Sequence, residues 1–470
     1  MTETEIVLGK ADNGRFVRFI SDEHVIGQGR SGSYKTSTIA IPACFDFEGS
    51  LVALDIKGEL FAATAGYRAS KGSQIFLFNP GAADGRSHRW NPFWAVDRGS
   101  PDRFDQISQI ANQLFPEVLA PREESGNFWN GIARDTFTSA ALLVAETREL
   151  PLTMAEVLRI FRRPNPGDWM VSQISDKRRR REPYSQAVIE GIEAFRAREG
   201  DRLGNSIVAT VTTALQIWQN PRVAAATNAT DFDIRDLRRR PMAVYLGVAP
   251  SAVARFAPLL RLFFDAVLAY NTDKTPVQDP ALSVPTLVLL DEFARLGRMP
   301  RVAESLQYVR AYGLRYCLLV QNRPQVMATY GSDAATDIWD NVGAEVIFST
   351  SDHVLAKQIS ERMGDSTMSV VTRHRRRVLP SLDVFKQHDA LHPSRRPVMY
   401  PFEVMQLPKE QVIILRPGMP GALARKIHWW EEPEFTRKRQ PAPPVPELRV
   451  LVAMDDGSDL TPKRKLAAAV

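Results

Sequence analysis

The chain has 470 residues, 44% of them hydrophobic and 24% charged, with a net charge of +6. This is the balance of a soluble globular protein long enough for two or three domains, basic enough to permit a nucleic-acid partner. Cys44 and Cys317, far apart in apolar contexts, exclude a disulfide framework; no apolar run reaches the ~18 residues of a membrane span, and the acidic start Met1-Thr2-Glu3-Thr4-Glu5 is no signal peptide.

Glu5-Ile6-Val7-Leu8 and Arg15-Phe16-Val17-Arg18-Phe19-Ile20 flank Asn13-Gly14, a two-residue turn signal that predicts an opening hairpin. His24-Val25-Ile26 then leads into Gly29-Arg30-Ser31-Gly32-Ser33-Tyr34-Lys35-Thr36. This has the spacing of a phosphate-binding loop, G-x-x-x-x-G-K-[ST], with Tyr34 where the second glycine belongs. In such a loop the backbone from Gly29 through Gly32, Ser33 and Tyr34 cradles the phosphates of ATP. Lys35 reaches the β and γ phosphates, and Thr36 binds Mg²⁺. Residues 37–41 are expected to open a helix whose N-terminus faces the phosphates. The register beginning at Gly27 places the lysine two residues late and is disfavoured. Taken alone, the segment reads equally well as a glycine-serine turn between strand and helix.

Residues 51–55 and 75–78 are near-continuous apolar runs of strand length, as buried parallel strands require. Residues 100–235 carry few strand signals, while 104–111 and 137–143 have helical spacing. They are predicted to form an inserted all-α domain between two parts of one nucleotide-binding domain, residues 1–99 and 236–436. Strand-like runs resume at 242–246, 286–290, 316–320, 345–348 and 411–415. The predicted fold class is α/β, a doubly wound sheet with helices on both faces. Residues 437–470, with Gln440-Pro441-Ala442-Pro443-Pro444-Val445-Pro446 and Lys463-Arg464-Lys465, are expected to be an extended, largely disordered basic tail.

Residues 287–290 run into Asp291-Glu292, a Walker B pattern. A buried strand delivers both carboxylates at its C-terminal end, where α/β sheets place ligands. Asp291 would hold Mg²⁺, and Glu292 would orient or deprotonate the attacking water. The bland alternative, a core strand running into an acidic helix start, loses ground because a phosphate loop lies upstream in the same chain. One strand later, Gln321 either reaches the γ-phosphate or caps the helix before Arg323-Pro324.

Arg310 and Arg315 are candidates for an arginine that stabilises phosphoryl charge in a neighbouring subunit, or for pairing with acids of their own helix. Lys177-Arg178-Arg179-Arg180-Arg181, Arg238-Arg239-Arg240 and, in a predicted loop, Arg373-His374-Arg375-Arg376-Arg377 are each either sequence-independent DNA contacts or solvated faces. His428-Trp429-Trp430 reads as a base platform or, more simply, as a strand-end core cluster.

Asp291-Glu292-Phe293-Ala294-Arg295-Leu296-Gly297, Tyr312-Gly313-Leu314-Arg315 and Leu319-Val320-Gln321 resemble the core of type IV secretion coupling proteins, the TraG/TraD-like ATPases of bacterial conjugation. Val52-Ala53-Leu54-Asp55-Ile56-Lys57-Gly58-Glu59, Asn91-Pro92-Phe93, Asn127-Phe128-Trp129, Pro397-Val398-Met399-Tyr400 and Ala424-Arg425-Lys426-Ile427 resemble other blocks of the same family. The resemblance implies a RecA-like domain with a helical insertion, forming a homo-hexameric ring around DNA. Such a ring couples Mg²⁺-dependent ATP hydrolysis to DNA transfer from a relaxase into a type IV secretion channel. Family members usually carry membrane helices ahead of the first strand, and this chain starts almost at that strand. No span of its own is therefore expected, and the implied location is cytoplasmic, at the inner face of the inner membrane. The tyrosine in the phosphate loop is expected to keep an ordinary backbone conformation, its ring turned away or packed on nucleotide. The competing readings are a non-hydrolysing docking receptor for relaxase and a DNA motor of the FtsK/HerA kind outside conjugation.

Overall fold

The computed structural model describes the backbone of residues 4–116, 124–379 and 384–450, and their side chains except at 124–126, 368–379 and 384–394. The chain opens with the expected hairpin, β1 (Thr4–Lys10) and β2 (Phe16–Ser21). Its turn holds three residues, not two. The Ala11 amide donates to the Arg15 carbonyl (2.8 Å) and the Gly14 amide to the Ala11 carbonyl (2.9 Å), with Gly14 left-handed at φ 82. Glycine without a Cβ closes such a loop without strain, and Asn-Gly serves both turn lengths.

β3 (His24–Gln28), β4 (Ser50–Asp55), β5 (Gln74–Phe78), β6 (Met242–Gly247), β7 (Thr286–Leu290), β8 (Leu314–Val320) and β9 (Val342–Ile347) form a parallel block in the order β9-β3-β8-β7-β4-β6-β5. The chain then makes β10 (Asp365–Leu379) and β11 (Val384–Pro397), and returns through β12 (Gln411–Leu415) and β13 (Ala422–Arg425). β12 pairs antiparallel with β9, and β13, β1 and β2 extend that edge. Alternate residues of each parallel strand enter different cores. Val52 and Leu54 face one, Leu51 and Ala53 the other. Burial on both faces is why these strands read as unbroken apolar runs.

Among the described residues of 100–235 there is no strand. Helices Arg103–Leu114, Glu124–Glu146, Met154–Phe161, Pro166–Arg179, Gln186–Arg196 and Arg202–Ala214 follow one another. Their apolar faces share one hydrophobic cluster with a face of the sheet, in which Trp90 sits edge-on to Phe263 with centroids 4.9 Å apart. The other face is covered by the helix after the phosphate loop and by Glu59–Ser70.

Two expectations are corrected. The Arg373, Arg375, Arg376 and Arg377 cluster lies on a strand, not in a loop: β10 and β11 pair antiparallel as a two-stranded sheet of their own. Ser369-Val370-Val371-Thr372, just before the arginines, carries the strand propensity that charge obscured. The tail, expected to be disordered from 437, is packed as far as 450. A Cβ on Gly66 would lie 2.3 Å from the Pro441 carbonyl, so the tail backbone rests directly on the helix Glu59–Ser70. The Ser87 amide donates to Pro446 (3.0 Å), the Leu448 amide to Gly85 (2.8 Å), and Leu448 is buried. Prolines pre-set extended backbone and lower the entropy lost on docking, so composition alone misjudged this stretch. Residues 451–470, including Lys463-Arg464-Lys465, lie outside the described residues. Among the described residues, no helix is long and apolar enough to cross a membrane.

Candidate nucleotide site

Because β3, β8, β7 and β4 are parallel neighbours, the segments that follow them emerge along one edge of the sheet. β3 delivers the phosphate loop, β8 Gln321, and β7 Asp291 and Glu292. The loop is tight at its first glycine: a Cβ on Gly29 would sit 2.6 Å from Phe348 Cβ and 2.7 Å from Ser33 Oγ. Gly32 is left-handed at φ 77. The helix that follows is wound wide over Thr36–Ala40 and regular over Ile41–Asp46, with the Ile41 amide bonded to the Thr36 carbonyl. Pro42 accounts for this, having no N–H for the carbonyl of Thr38.

Tyr34 is not in an ordinary conformation, as expected from its side chain, but left-handed at φ 70. The loop imposes the glycine geometry on it. Its ring turns aside, edge-on to His428 at 4.7 Å and 88°. His428 is held there by a tether between the loop helix and the chain just after β13. Ser37 Oγ (3.1 Å) and Thr38 Oγ1 (3.2 Å) donate to the Ile427 carbonyl, and the Ile427 amide lies 3.2 Å from Thr38 Oγ1.

Thr36 Oγ1 donates to Asp291 Oδ2 at 3.0 Å, bringing the two sequence motifs together. Burial pushes the Asp291 carboxyl up to about 6 against that hydrogen bond, and the Glu292 charge adds to the rise. Glu292 is left-handed at φ 63, and its Oε2 accepts from Gln321 Nε2 at 3.0 Å. The helix cap that Gln321 was weighed for falls to Asn322, whose Oδ1 accepts from the Gln325 amide at 2.9 Å. Gln321 is thereby left facing the acids. The Lys35 ammonium donates to the carbonyls of Gly29 (2.5 Å) and Arg30 (3.2 Å). Burial lowers its pKa, and the charges of Glu292 and Asp291 oppose the drop. A cavity of about 690 Å³ joins Lys35, Thr36, Asp291, Glu292 and Gln321 to Trp430, within the ~300–1,000 Å³ of small-molecule sites.

The residues present fit a phosphate ligand with a hard cation. Ser33 Oγ is buried without a protein partner, inside the loop that would wrap the phosphates. Thr36 and Asp291 offer oxygen only, and among the described residues no cluster of three or more His, Cys, Asp or Glu could hold a metal alone. Mg²⁺ suits such a site because it takes one or two protein oxygens and completes its shell with phosphate and water.

Other predicted residues lie elsewhere. Arg315 is buried near the start of β8, at the opposite edge of the sheet. It donates to the carbonyls of Glu23 (2.6 Å) and Thr4 (2.9 Å), and burial lowers its pKa to about 10. A guanidinium so enclosed cannot reach a neighbouring subunit, and its candidacy is withdrawn. Arg310, at the same edge, is partly exposed and pairs with Glu23 at 3.6 Å. Lys177 is tied to the Glu146 carbonyl and lies over the Tyr184 ring at 4.5 Å, so it is not a free phosphate ligand. Arg178 is exposed in the last turn of its helix, where the helix dipole favours it. Arg238 is buried and bonded to the carbonyls of Asn271 and Lys274, while Arg239 and Arg240 pair with Asp279 and Asp236. Arg238 is thereby structural, while Arg239 and Arg240 stay exposed in surface ion pairs. The side chains of Arg373, Arg375, Arg376 and Arg377 lie outside the described residues.

Sequence reasoning passed over Lys57 and Arg295, which line the cavity, and Asp55, whose carboxylate accepts from the Leu60 (3.3 Å) and Phe61 (2.9 Å) amides beside it. The signal was present: β4 ends at Asp55 on the same edge as β7.

A family model described as "Type IV secretory system Conjugative DNA transfer" matches residues 3–446. Protein VirD4 of Rhizobium rhizogenes is 28% identical over 410 residues, 87% of this chain and 58% of the relative. Conjugal transfer protein TraG of Escherichia coli is 24% identical over 479 residues, 95% of this chain and 74% of the relative. The chain thus spans less than two thirds of the VirD4 proteins it matches. Among solved structures, the unbound bacterial conjugative coupling protein TrwBdeltaN70 superposes with a TM-score of 0.63 at 16% identity, covering 91% of this chain and 87% of that one. TrwB in complex with ADP and Mg²⁺ gives 0.61 at 15% identity, covering 86% and 85%. The shared architecture is a largely parallel α/β sheet covered by helices on both faces, the doubly wound arrangement anticipated from the strand pattern. The chain belongs to the type IV secretory system conjugative DNA-transfer family.

Proposed function

We propose that this chain is the ATP-hydrolysing motor of a conjugative coupling protein, moving DNA from a relaxase complex into a type IV secretion channel. The observation that carries the proposal is the 3.0 Å bond between Thr36 Oγ1 and Asp291 Oδ2, flanked by the Glu292–Gln321 pair. Mg²⁺ bound there would neutralise phosphate charge. The loop amides and Lys35 hold the β and γ phosphates, and Thr36 and Asp291 hold the cation. Glu292 orients and deprotonates water, and Gln321, bonded to it, links the state of that carboxylate to β8. A carboxylate placed this way has little use in a receptor that never hydrolyses, which favours turnover over the docking-receptor reading. The family setting supports the conjugative role over a motor elsewhere. A homo-hexamer on the cytoplasmic side of the inner membrane, with sequence-independent DNA contact through the β10–β11 hairpin (Arg373 to Arg377), completes the reading.

DNA-stimulated ATP turnover by the purified chain tests it. Lys35→Ala is expected to abolish nucleotide binding. Glu292→Gln is expected to keep binding and lose about 10²–10⁴-fold in rate, the range for a removed general base. Nucleotide binding by the unaltered chain with no turnover on DNA would instead make it the receptor.

A further inference from the structure

Besides the groups that face phosphate and metal, the cavity lining carries the rings of Tyr34, Trp429 and Trp430. Trp430 is 48% exposed and Tyr34 46%, an unusual degree for large rings lining a concave site. The rings brace one another: His428 lies 5.2 Å from Trp430, and Trp429 stands at 83° to Trp430 at 6.2 Å. His428 Nε2 is also 2.8 Å from Glu410 Oε2. The Ile427 tether fixes this wall against the first turn of the loop helix, so its place relative to the phosphate loop is built in. Ile41, Ala62 and Ala63 make the neighbouring lining apolar. A ligand for such a cavity combines an anionic group with a flat, apolar one.

We infer that this wall is a nucleobase subsite, in which the base of the bound nucleoside triphosphate stacks on the exposed indole of Trp430 beside Tyr34. The inference rests on the nucleotide-site reading above and adds which residues hold the base. Stacking reads ring area more than hydrogen-bonding edge, so purine nucleotides should bind more tightly than pyrimidine ones. It also gives Tyr34 a use that a glycine would not have: its ring supports His428 and, through it, Trp430.

The test compares the unaltered chain with Trp430→Ala and Trp430→Phe, titrated with two probes in Mg²⁺: ATP, and inorganic tripolyphosphate, which lacks a base. Trp430→Ala should weaken ATP about tenfold to a hundredfold, as loss of a base–aromatic stack does. Trp430→Phe should stay within a few-fold, and tripolyphosphate should bind all three proteins equally. Unchanged ATP affinity in Trp430→Ala overturns the inference. So does an equal loss for both probes, which would mean that the tryptophan only shores up the loop. If the unaltered chain bound neither probe, the nucleotide site itself would fall, an outcome distinct from the other two.

Discussion

Replacing Tyr34 by glycine and by alanine separates the backbone of the phosphate loop from the ring it carries. A non-glycine residue in the left-handed region costs roughly 1–2 kcal/mol. Glycine removes that cost but gives the unfolded chain extra freedom worth roughly 0.5–1 kcal/mol. Both variants lose the edge-on contact with His428, an aromatic pair worth about 0.5–1.5 kcal/mol. Tyr34→Ala keeps the φ of 70 and loses the ring, so it should fall below the parent by about 1 kcal/mol. Tyr34→Gly should lie above Tyr34→Ala by about 0.5–1 kcal/mol and close to the parent. The difference between the variants is the informative quantity, because the lost ring cancels. Urea unfolding followed by circular dichroism at matched slopes measures it. An alanine variant as stable as the glycine variant would refute the left-handed assignment.

Gly29→Ala should leave the fold intact but weaken nucleotide at least about tenfold, because the new methyl meets Phe348 and Ser33 at under 3 Å; nucleotide titration beside circular dichroism checks both halves. His24 is fully buried, with one ring nitrogen 2.9 Å from the Leu306 carbonyl and the other accepting from the Tyr316 amide, and burial lowers its pKa to about 4. The unfolded chain, near 6.5, then binds the proton more tightly. Stability is complete above that value and falls as pH drops toward 4, by up to about 3 kcal/mol. Urea midpoints at pH 7 and 4.5 should show a smaller drop in His24→Asn than in the parent. Gly66→Ala places a methyl against the carbonyls of Gln440 and Pro441 and should release the packed tail, seen as faster proteolysis between 437 and 450 with the remaining core resistant.

Much of the sheet was legible because parallel strands buried on both faces leave an unbroken apolar signature. The site was legible where function is local: the loop spacing and the two acids after β7 each occupy a few consecutive residues. Arg315 could not be excluded from sequence, because an arginine acting on a neighbouring subunit lies away from its own chain's site; its enclosure by the Thr4 and Glu23 carbonyls is a long-range contact. The tail was misread because its prolines and charges carry the composition of disorder, while its docking depends on Gly66, hundreds of residues away in sequence. The backbone of Tyr34 was not legible either. The loop's path forces it into the glycine region, and no local pattern announces a tyrosine that complies.

That compliance has a physical source outside the loop. The helix start at Thr36–Ala40 is loosened by Pro42, and Ser37 and Thr38 are bonded to Ile427. The same stretch carries His428, which receives the Tyr34 ring. Strain at one residue is thus offset by contacts that exist only when the closing strands are in place. If β13 moved, the loop would lose its outer support and the tyrosine its partner together. The candidate nucleotide site is therefore braced by residues about 390 positions after the phosphate loop. A shift in the closing segment would act first on Tyr34, Ser37 and Thr38, the loop residues bonded to or packed on it.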